Sequence, residues 1–265
     1  FPGVSLAWKI NEENFLKDSG INNLKLRGGW GKTGNQEIAG GKYPAFAAYN
    51  PSNGGASYQF GSQYYFMYRP NIYNPNLKWE TTITKNLGLD FGFANNRIFG
   101  SVEVYQKNTN DLILDSPIAA GDLSNHNILN VGNLETKGIE GNVTFVPVKN
   151  QNTTWELSFN ATHYDSKITK LINNADASFN IPVTNISGGV GNTIQAHYVG
   201  GQPYSFYVYQ QVYDNNGKPL DGVYVDRNGD GAVNAKDMYF YKSTQPDVIL
   251  GFNTKLTHKN WDLGF

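Results

Sequence analysis

The run Asn86-Leu87-Gly88-Leu89-Asp90-Phe91-Gly92-Phe93-Ala94-Asn95-Asn96-Arg97-Ile98-Phe99-Gly100-Ser101-Val102-Glu103-Val104 decides the fold. Successive side chains of an extended chain point to opposite faces, so Leu87, Leu89, Phe91 and Phe93 share one side while Asn86, Gly88, Asp90 and Gly92 share the other. Ala94 to Arg97 break the alternation, and Ile98, Val102 and Val104 then oppose Ser101, Glu103 and Lys107. The pattern predicts a tight antiparallel hairpin with one apolar face and one small, polar face.

The same pattern extends in both directions. Ile139, Val143 and Phe145 oppose Glu140, Asn142 and Thr144; a turn follows at Pro147 to Asn152; and Trp155, Leu157, Phe159 and Ala161 oppose Glu156, Ser158, Asn160 and Thr162. Val248, Leu250, Phe252 and Leu256 lead through Lys259-Asn260 to Trp261, Leu263 and Phe265. Towards the start, Leu24, Leu26 and Trp30 mark one strand and Val4 to Ile10 another, giving eight strand segments with the last cut short.

The connections alternate in length. Those near 95, 149 and 259 are short, whereas those over about 32–83, 108–137 and 164–246 are long. Compact domains rarely contain structureless loops beyond about 12–15 residues, but outer-membrane barrels join their strands by short periplasmic turns and long extracellular loops. Free sheet edges in lipid would leave unsatisfied backbone groups at several kcal/mol each. The expectation is therefore an all-β fold: an antiparallel transmembrane β-barrel segment of about eight strands, part of a larger barrel, with 1–265 lying in one barrel domain and 164–246 forming a long extracellular loop. Trp155 and Trp261 follow short turns, where a periplasmic aromatic girdle would place them; the competing reading makes them anchors of a sandwich core.

Composition agrees with this. The 265 residues are 39% hydrophobic and only 16% charged, with 29 Gly, 17 Tyr and 15 Phe, which favours strands and turns over helices. A net charge of -1 offers no field for nucleic acid. Without cysteine there is no disulfide and no thiolate-bound zinc. No 18-residue apolar run exists, so no helix spans a membrane, and no N-terminal stretch reads as a signal peptide. A mean hydropathy of -0.48 is no objection to a barrel, whose strands need only every second residue apolar over about 9–11 positions.

Several runs together resemble the SusC/RagA family of TonB-linked outer-membrane proteins. They are Ile21 to Gln36, reading INNLKLRGGWGKTGNQ; Asn74 to Thr82, reading NPNLKWETT, followed by Asn86-Leu87-Gly88-Leu89-Asp90; Tyr105 to Ile113, reading YQKNTNDLI, followed by Asn130-Val131-Gly132-Asn133 and Lys137-Gly138-Ile139-Glu140; and Asp226 to Asp237. The resemblance spans the whole chain in order. It implies a plugged outer-membrane barrel of about 22 strands. It further implies a SusD-like surface lipoprotein as partner, TonB as the energy relay through an N-terminal region, and import of oligosaccharides or peptides across the bacterial outer membrane. The plug, the TonB box and the terminal strands are expected to lie outside these residues.

Asp226-Arg227-Asn228-Gly229-Asp230-Gly231-Ala232-Val233-Asn234-Ala235-Lys236-Asp237 has the spacing of a calcium loop. Asp226, Asn228, Asp230, Asn234 and Asp237 offer side-chain oxygens, Ala232 offers its carbonyl, and Gly231 sits at the sharp turn. An Asp in the last position resembles a dockerin loop more than a standard EF-hand. The other reading is a polar turn that only shares the motif.

No catalytic constellation is present. His126, His163, His197 and His258 are isolated and read as solvated loop or strand-end residues; Gly188 to Gly191 is not followed by a helix pattern; Asp221 and Asp226 carry no sign of glycosidase separation. Tyr204, Phe206, Tyr207, Tyr209 and Tyr213 either stack on sugar rings or pack among themselves. Beside import, two further functions fit parts of the sequence: a soluble or surface carbohydrate-binding β-sandwich or adhesin module, whose apolar faces would point inward, and a β-propeller or jelly-roll hydrolase, favoured by composition alone.

Overall fold

The computed structural model describes residues 1–17, 19–37, 45–52, 55, 57–118, 126–171, 179–185 and 193–265. Eight strands form its main sheet: β1 (Gly3–Lys9), β2 (Ile21–Asn35), β3 (Glu80–Phe93), β4 (Ile98–Pro117), β5 (His126–Lys149), β6 (Thr153–Leu171), β7 (Val248–His258) and β8 (Trp261–Gly264). Each pairs antiparallel with its neighbour in sequence, so the sheet is a simple up-and-down meander. β1 and β8 have no further strand beside them among the described residues, and the sheet is open. In the turn between β3 and β4 the backbone of Ala94, Asn95 and Asn96 is left-handed, with φ near 52°, 55° and 56°. Asparagine tolerates that region better than most residues, and the side chain of Asn22 accepts a bond from the Asn96 amide at 3.2 Å, tying the turn back to β2.

The outward face is apolar and uncovered. Register brings Leu26, Leu89 and Val102 side by side, and Phe145, Leu157 and Thr254. Leu87 is 52% exposed and Leu250 76%. Phe145, Phe159 and Phe252 run across three strands with ring centroids 6.4 and 5.0 Å apart. No second sheet packs on this face among the described residues, which removes the β-sandwich alternative. Trp155 and Trp261 lie on the same outer face beside the short turns, partly or largely exposed. The band ends at a row of polar neighbours, Lys85, Gln106, Lys137 and Asp165, that crosses β3 to β6.

The inward face carries the charge. Lys25 and Arg27 of β2 reach Asp90 of β3 at 2.7 and 3.0 Å, Arg27 also reaches Glu103 of β4, and Asn86 donates to Glu103 at 2.9 Å. Gly88 makes room for this network: a Cβ there would stand 2.7 Å from the Arg27 guanidinium, which lies flat across β3.

Pairing continues well past the polar row, and here the strands outrun the expected limits. β4 has 20 residues, β5 24 and β6 19. The long connections are therefore 36–79, 118–125 and 172–247 instead of 32–83, 108–137 and 164–246. Beyond the apolar band the strict alternation of one apolar and one polar face ends, because Ile168 and Leu171 of β6 and Leu114 and Leu134 of β4 and β5 join a separate core, so alternation no longer signals a strand although the backbone ladder persists.

The segment after β6 is folded rather than a bare loop. Asn180–Asn185, Thr193–Tyr198, Ser205–Val208 and Tyr239–Ser243 form a four-stranded antiparallel sheet in that order, and Gln211–Tyr213 pairs with Pro219–Tyr224. Its core is Ile168, Leu171 and Ile181, flanked by Leu114, Leu134, Phe179 and Val183. Of the five buried hydrophobic side chains among the described residues, Ile168, Leu171, Ile181 and Ala196 belong to this region.

Candidate functional site

Three features stand at the end of the sheet beyond the polar row. The first is the acidic loop. Asp226 accepts the amides of Gly229 and Gly231 at 2.7 Å each, and Asp230 accepts that of Ala232 at 3.0 Å. Gly231 has φ near 86°, a conformation that favours glycine. Asn234 and Asp237 form a reciprocal capping box around a short 3-10 turn. Asp237 is fully buried and accepts the amides of Arg227, Asn228 and Asn234 at 2.8, 3.2 and 2.8 Å. Those amides, Asn234 foremost, hold its carboxyl below the ordinary value near 3.8.

Asn228 donates to Asp230 at 3.0 Å, and Asn234 donates to the Ala232 carbonyl at 2.9 Å. The loop is thus closed by its own hydrogen bonds. In chemical kind its oxygens suit a hard cation. Among the described residues, however, no three acidic or histidine side chains converge as metal ligands. A bound ion would have to draw Asp230 away from Asn228.

The second feature is a cleft of about 710 Å³ in the module after β6. Pro182, Ile194 and Ala196 form part of its lining; Tyr207, Tyr209 and Tyr224 give it aromatic walls; Asn180 adds an amide. Tyr207 stacks on Phe240 at 4.6 Å, Phe240 on Tyr198 at 3.6 Å, and Tyr209 leans on Tyr224 at 5.4 Å. Of the aromatic run singled out in the sequence, Tyr207 and Tyr209 reach the cleft. Tyr204 instead packs edge-on against His197 at 4.8 Å.

His197 departs from expectation: it is buried, its Nε2 has no hydrogen-bond partner among the described residues, and burial lowers its pKa. His258 sits at a strand end as expected, near the Thr153 hydroxyl at 2.8 Å, and His126 lies 3.5 Å from Asp115, whereas His163 lies in the middle of β6, near the Asp247 carbonyl at 2.6 Å. Gly188 to Gly191 lie outside the described residues.

The third feature is a junction that no single stretch of sequence announces. Asn130 of β5 accepts the Lys78 amide at 2.8 Å and donates to the carbonyls of Lys78 and Asp111 at 2.9 and 2.8 Å. Asn74 donates to the Ile128 carbonyl at 3.2 Å, and Glu80 accepts the Ile113 amide at 2.9 Å. Asp111, with φ near 58°, sits in the bulge where β4 slips against β5. The runs NPNLKWETT, YQKNTNDLI and NVGN, far apart in sequence, are fastened together here. The only sequence signal was their shared richness in Asn, which reads equally well as ordinary turns.

Comparison with known proteins accounts for the whole arrangement. The family model for the TonB dependent receptor-like β-barrel matches residues 1–265. The chain is 44% identical over 268 residues to the TonB-dependent receptor SusC of Bacteroides thetaiotaomicron, covering all of this chain and 27% of that protein. It is 31% identical over 277 residues to the TonB-dependent receptor P26 of Formosa agariphila, again covering all of this chain and 27% of the relative. The structure of the RagAB peptide transporter superposes over 99% of this chain and 28% of that one, with a TM-score of 0.77 at 24% identity, a likeness of fold. The chain therefore spans about a quarter of the length of the curated relatives it matches. An outward apolar band, a polar inner wall and this match from first residue to last lead to one conclusion: the chain belongs to the TonB-dependent receptor β-barrel family, in its SusC/RagA branch.

Proposed function

We propose that the protein of which this chain is a part sits in the bacterial outer membrane and imports oligosaccharides or peptides with energy relayed by TonB, working with a SusD-like surface lipoprotein. The observation that carries this reading is the open meander whose apolar outer face is uncovered and bounded by Lys85, Gln106, Lys137 and Asp165. Exposed apolar area on that scale needs lipid. Membership of a family of receptors and transporters supplies the direction of the chemistry, which is movement of a solute and not its conversion. The test is uptake of labelled oligosaccharides and peptides by cells carrying the full-length receptor. Uptake that disappears when TonB is deleted supports the reading; uptake indifferent to TonB, or a receptor that fractionates without membrane, removes it. Co-purification of a lipoprotein encoded beside the receptor tests the partnership.

A second element of the proposal is one calcium ion at Asp226, Asn228, Asp230, Asn234 and Asp237 with the Ala232 carbonyl. Their spacing and the left-handed Gly231 support it, and its role would be to stiffen the module. Calorimetry on the full-length receptor, with Asp226→Ala and Asp230→Ala as controls, is expected to give calcium-dependent heat in the unmutated protein alone. No heat there leaves the loop as turn chemistry closed by hydrogen bonds.

A further inference from the structure

We infer that the outer face of the wall holds one phosphate-bearing glycolipid of the outer leaflet, with its phosphate between Lys32 and Lys85 and an acyl chain in the groove below them. The inference rests on the outer-membrane reading, which puts the long connections and the polar row at the cell surface. Register fixes the depth of the site. Trp30 pairs with Lys85 at the upper limit of the apolar band, the level at which an interfacial tryptophan meets lipid headgroups.

Two cations stand there without a counter-charge. Lys32 lies opposite Ile83, which is two residues from Lys85 on the same face, so the two lysines are diagonal neighbours rooted about 7–8 Å apart. Neither ammonium group has a hydrogen bond or ion pair among the described residues. The acids of this face are engaged elsewhere: Glu135 binds Lys137 at 2.7 Å and Gln106 at 2.6 Å, and one oxygen of Asp165 accepts from Gln202 at 2.9 Å. Like charges set side by side repel. An anion bound by both relieves that repulsion, and a phosphate has the oxygens to do so.

The space beside the lysines is larger than a phosphate and changes in character with depth. A cleft of about 670 Å³ starts at Lys85 and Lys137 and runs down over Leu87, Val104 and Ile139; a second, of about 590 Å³, lies over Val102, Gly141, Ala161 and Leu250. The ladder makes the two consecutive, since Leu87, Val104 and Ile139 form one row and Val102, Gly141, Ala161 and Leu250 the next. Gly141 and Ala161 are too small to fill the lower cleft and leave a groove between Val102 and Leu250. In the upper cleft the second oxygen of Asp165 and the amide oxygen of Gln106 accept no bond among the described residues, so they are open to the hydroxyls of a sugar. Cations above, hydroxyl acceptors beside them and an apolar groove below follow the order of parts in a phosphorylated glycolipid. A free sugar phosphate would leave the groove empty, and a ligand of acyl chains alone would leave the lysines unpaired.

The experiment places the full-length receptor in phosphatidylcholine nanodiscs carrying a minor fraction of lipid A, of phosphatidylglycerol or of no anionic lipid, and counts the lipids retained on the protein by native mass spectrometry. Lipid A is expected to be retained about tenfold above its share, and phosphatidylglycerol much less. Lys32→Gln and Lys85→Gln are each expected to lower that retention about fivefold, while Lys85→Arg, which keeps the charge, stays within about twofold. Ala161→Leu, which fills the groove and leaves every charge in place, is expected to lower it at least about threefold. Lipid A held at no more than its share, phosphatidylglycerol held equally well, retention indifferent to both glutamine variants or to Ala161→Leu, or displacement of lipid A by inorganic phosphate alone would each overturn the inference. Loss of lipid A selectivity in a receptor that still inserts and imports removes this site alone; a receptor that stays folded and monodisperse without lipid or detergent removes the outer-membrane reading and the site with it.

Discussion

The wall formed by β2 to β7 and the module inserted between β6 and β7 obey opposite packing rules within one chain. In the wall Leu87, Val102, Val104, Phe159 and Leu250 face outward and stay exposed, while Lys25, Arg27, Asp90 and Glu103 gather on the inner side. In the module Leu171 is 1% exposed, Ile181 3% and Ala196 1%, and the charged residues are outside, with Asp237 as an exception satisfied by three amides. Hydrophobic burial is set by the surrounding solvent. The difference therefore locates the boundary between lipid and water within the strands, at the row through Lys85 and Asp165.

The largest effect should come from the module core. Leu171→Ala is expected to destabilise the module by about 2–5 kcal/mol, by loss of transfer energy and creation of a cavity, read as a melting shift of the full-length receptor that is the same in detergent and in lipid. In the wall, Val102→Arg near the middle of the apolar band should cost about 2–4 kcal/mol, seen in urea-dependent folding into vesicles. The same variant should be far better tolerated where the face is wetted, and equal cost in both settings would break the contrast between the regions.

On the inner face, Gly88→Val forces the Arg27 guanidinium off its place and should cost about 1–3 kcal/mol by overpacking and loss of the pairs to Asp90 and Glu103. An unchanged melt would mean that the network is not held as described. The smallest effect is a pH dependence confined to the module. Since the Asp237 carboxyl is held below 3.8 in the folded state, its contribution is complete above that value and is lost as the pH falls through its lower folded value. The protection factors of the Arg227, Asn228 and Asn234 amides, which remove the intrinsic pH dependence of exchange, should be flat from neutrality down to about pH 5 and fall below about 4. A fall beginning near neutrality would point to His197 instead.

The wall was legible in sequence because period-two alternation is strongest where one face meets lipid and the other does not. Leu87 to Phe93 and Trp155 to Ala161 could be assigned a face residue by residue. Legibility ended where the strict alternation ends, which is why β5 extends to His126 and β6 to Leu171 beyond the apolar band. The module looks like a loop in sequence because its core is assembled from distant pieces: Leu114 and Leu134 arrive from β4 and β5, Ile168 and Leu171 from β6, and Phe179, Ile181 and Val183 from the insertion. No local window contains that pattern. The cleft was half visible, in the alternation of Tyr207 and Tyr209, but Tyr224 joins it only through the hairpin that follows. The acidic loop was found by spacing, and its closure by hydrogen bonds was not.

The Asn130 junction also has a consequence in time. Its partners Lys78 and Asn74 lie 52 and 54 residues away from the groups they bind, whereas the β3–β4 turn is local. Closing loops of that size is entropically slow compared with zipping a hairpin. The clasp can therefore form only once β4 and β5 have aligned in register, bulge included, since a shift of one residue would turn Asn130 to the opposite face. A mispaired hairpin would leave Lys78 and Asp111 unclasped and the strand free to slide back and try again. The junction is thus a register check on β4 and β5: it closes in one alignment only.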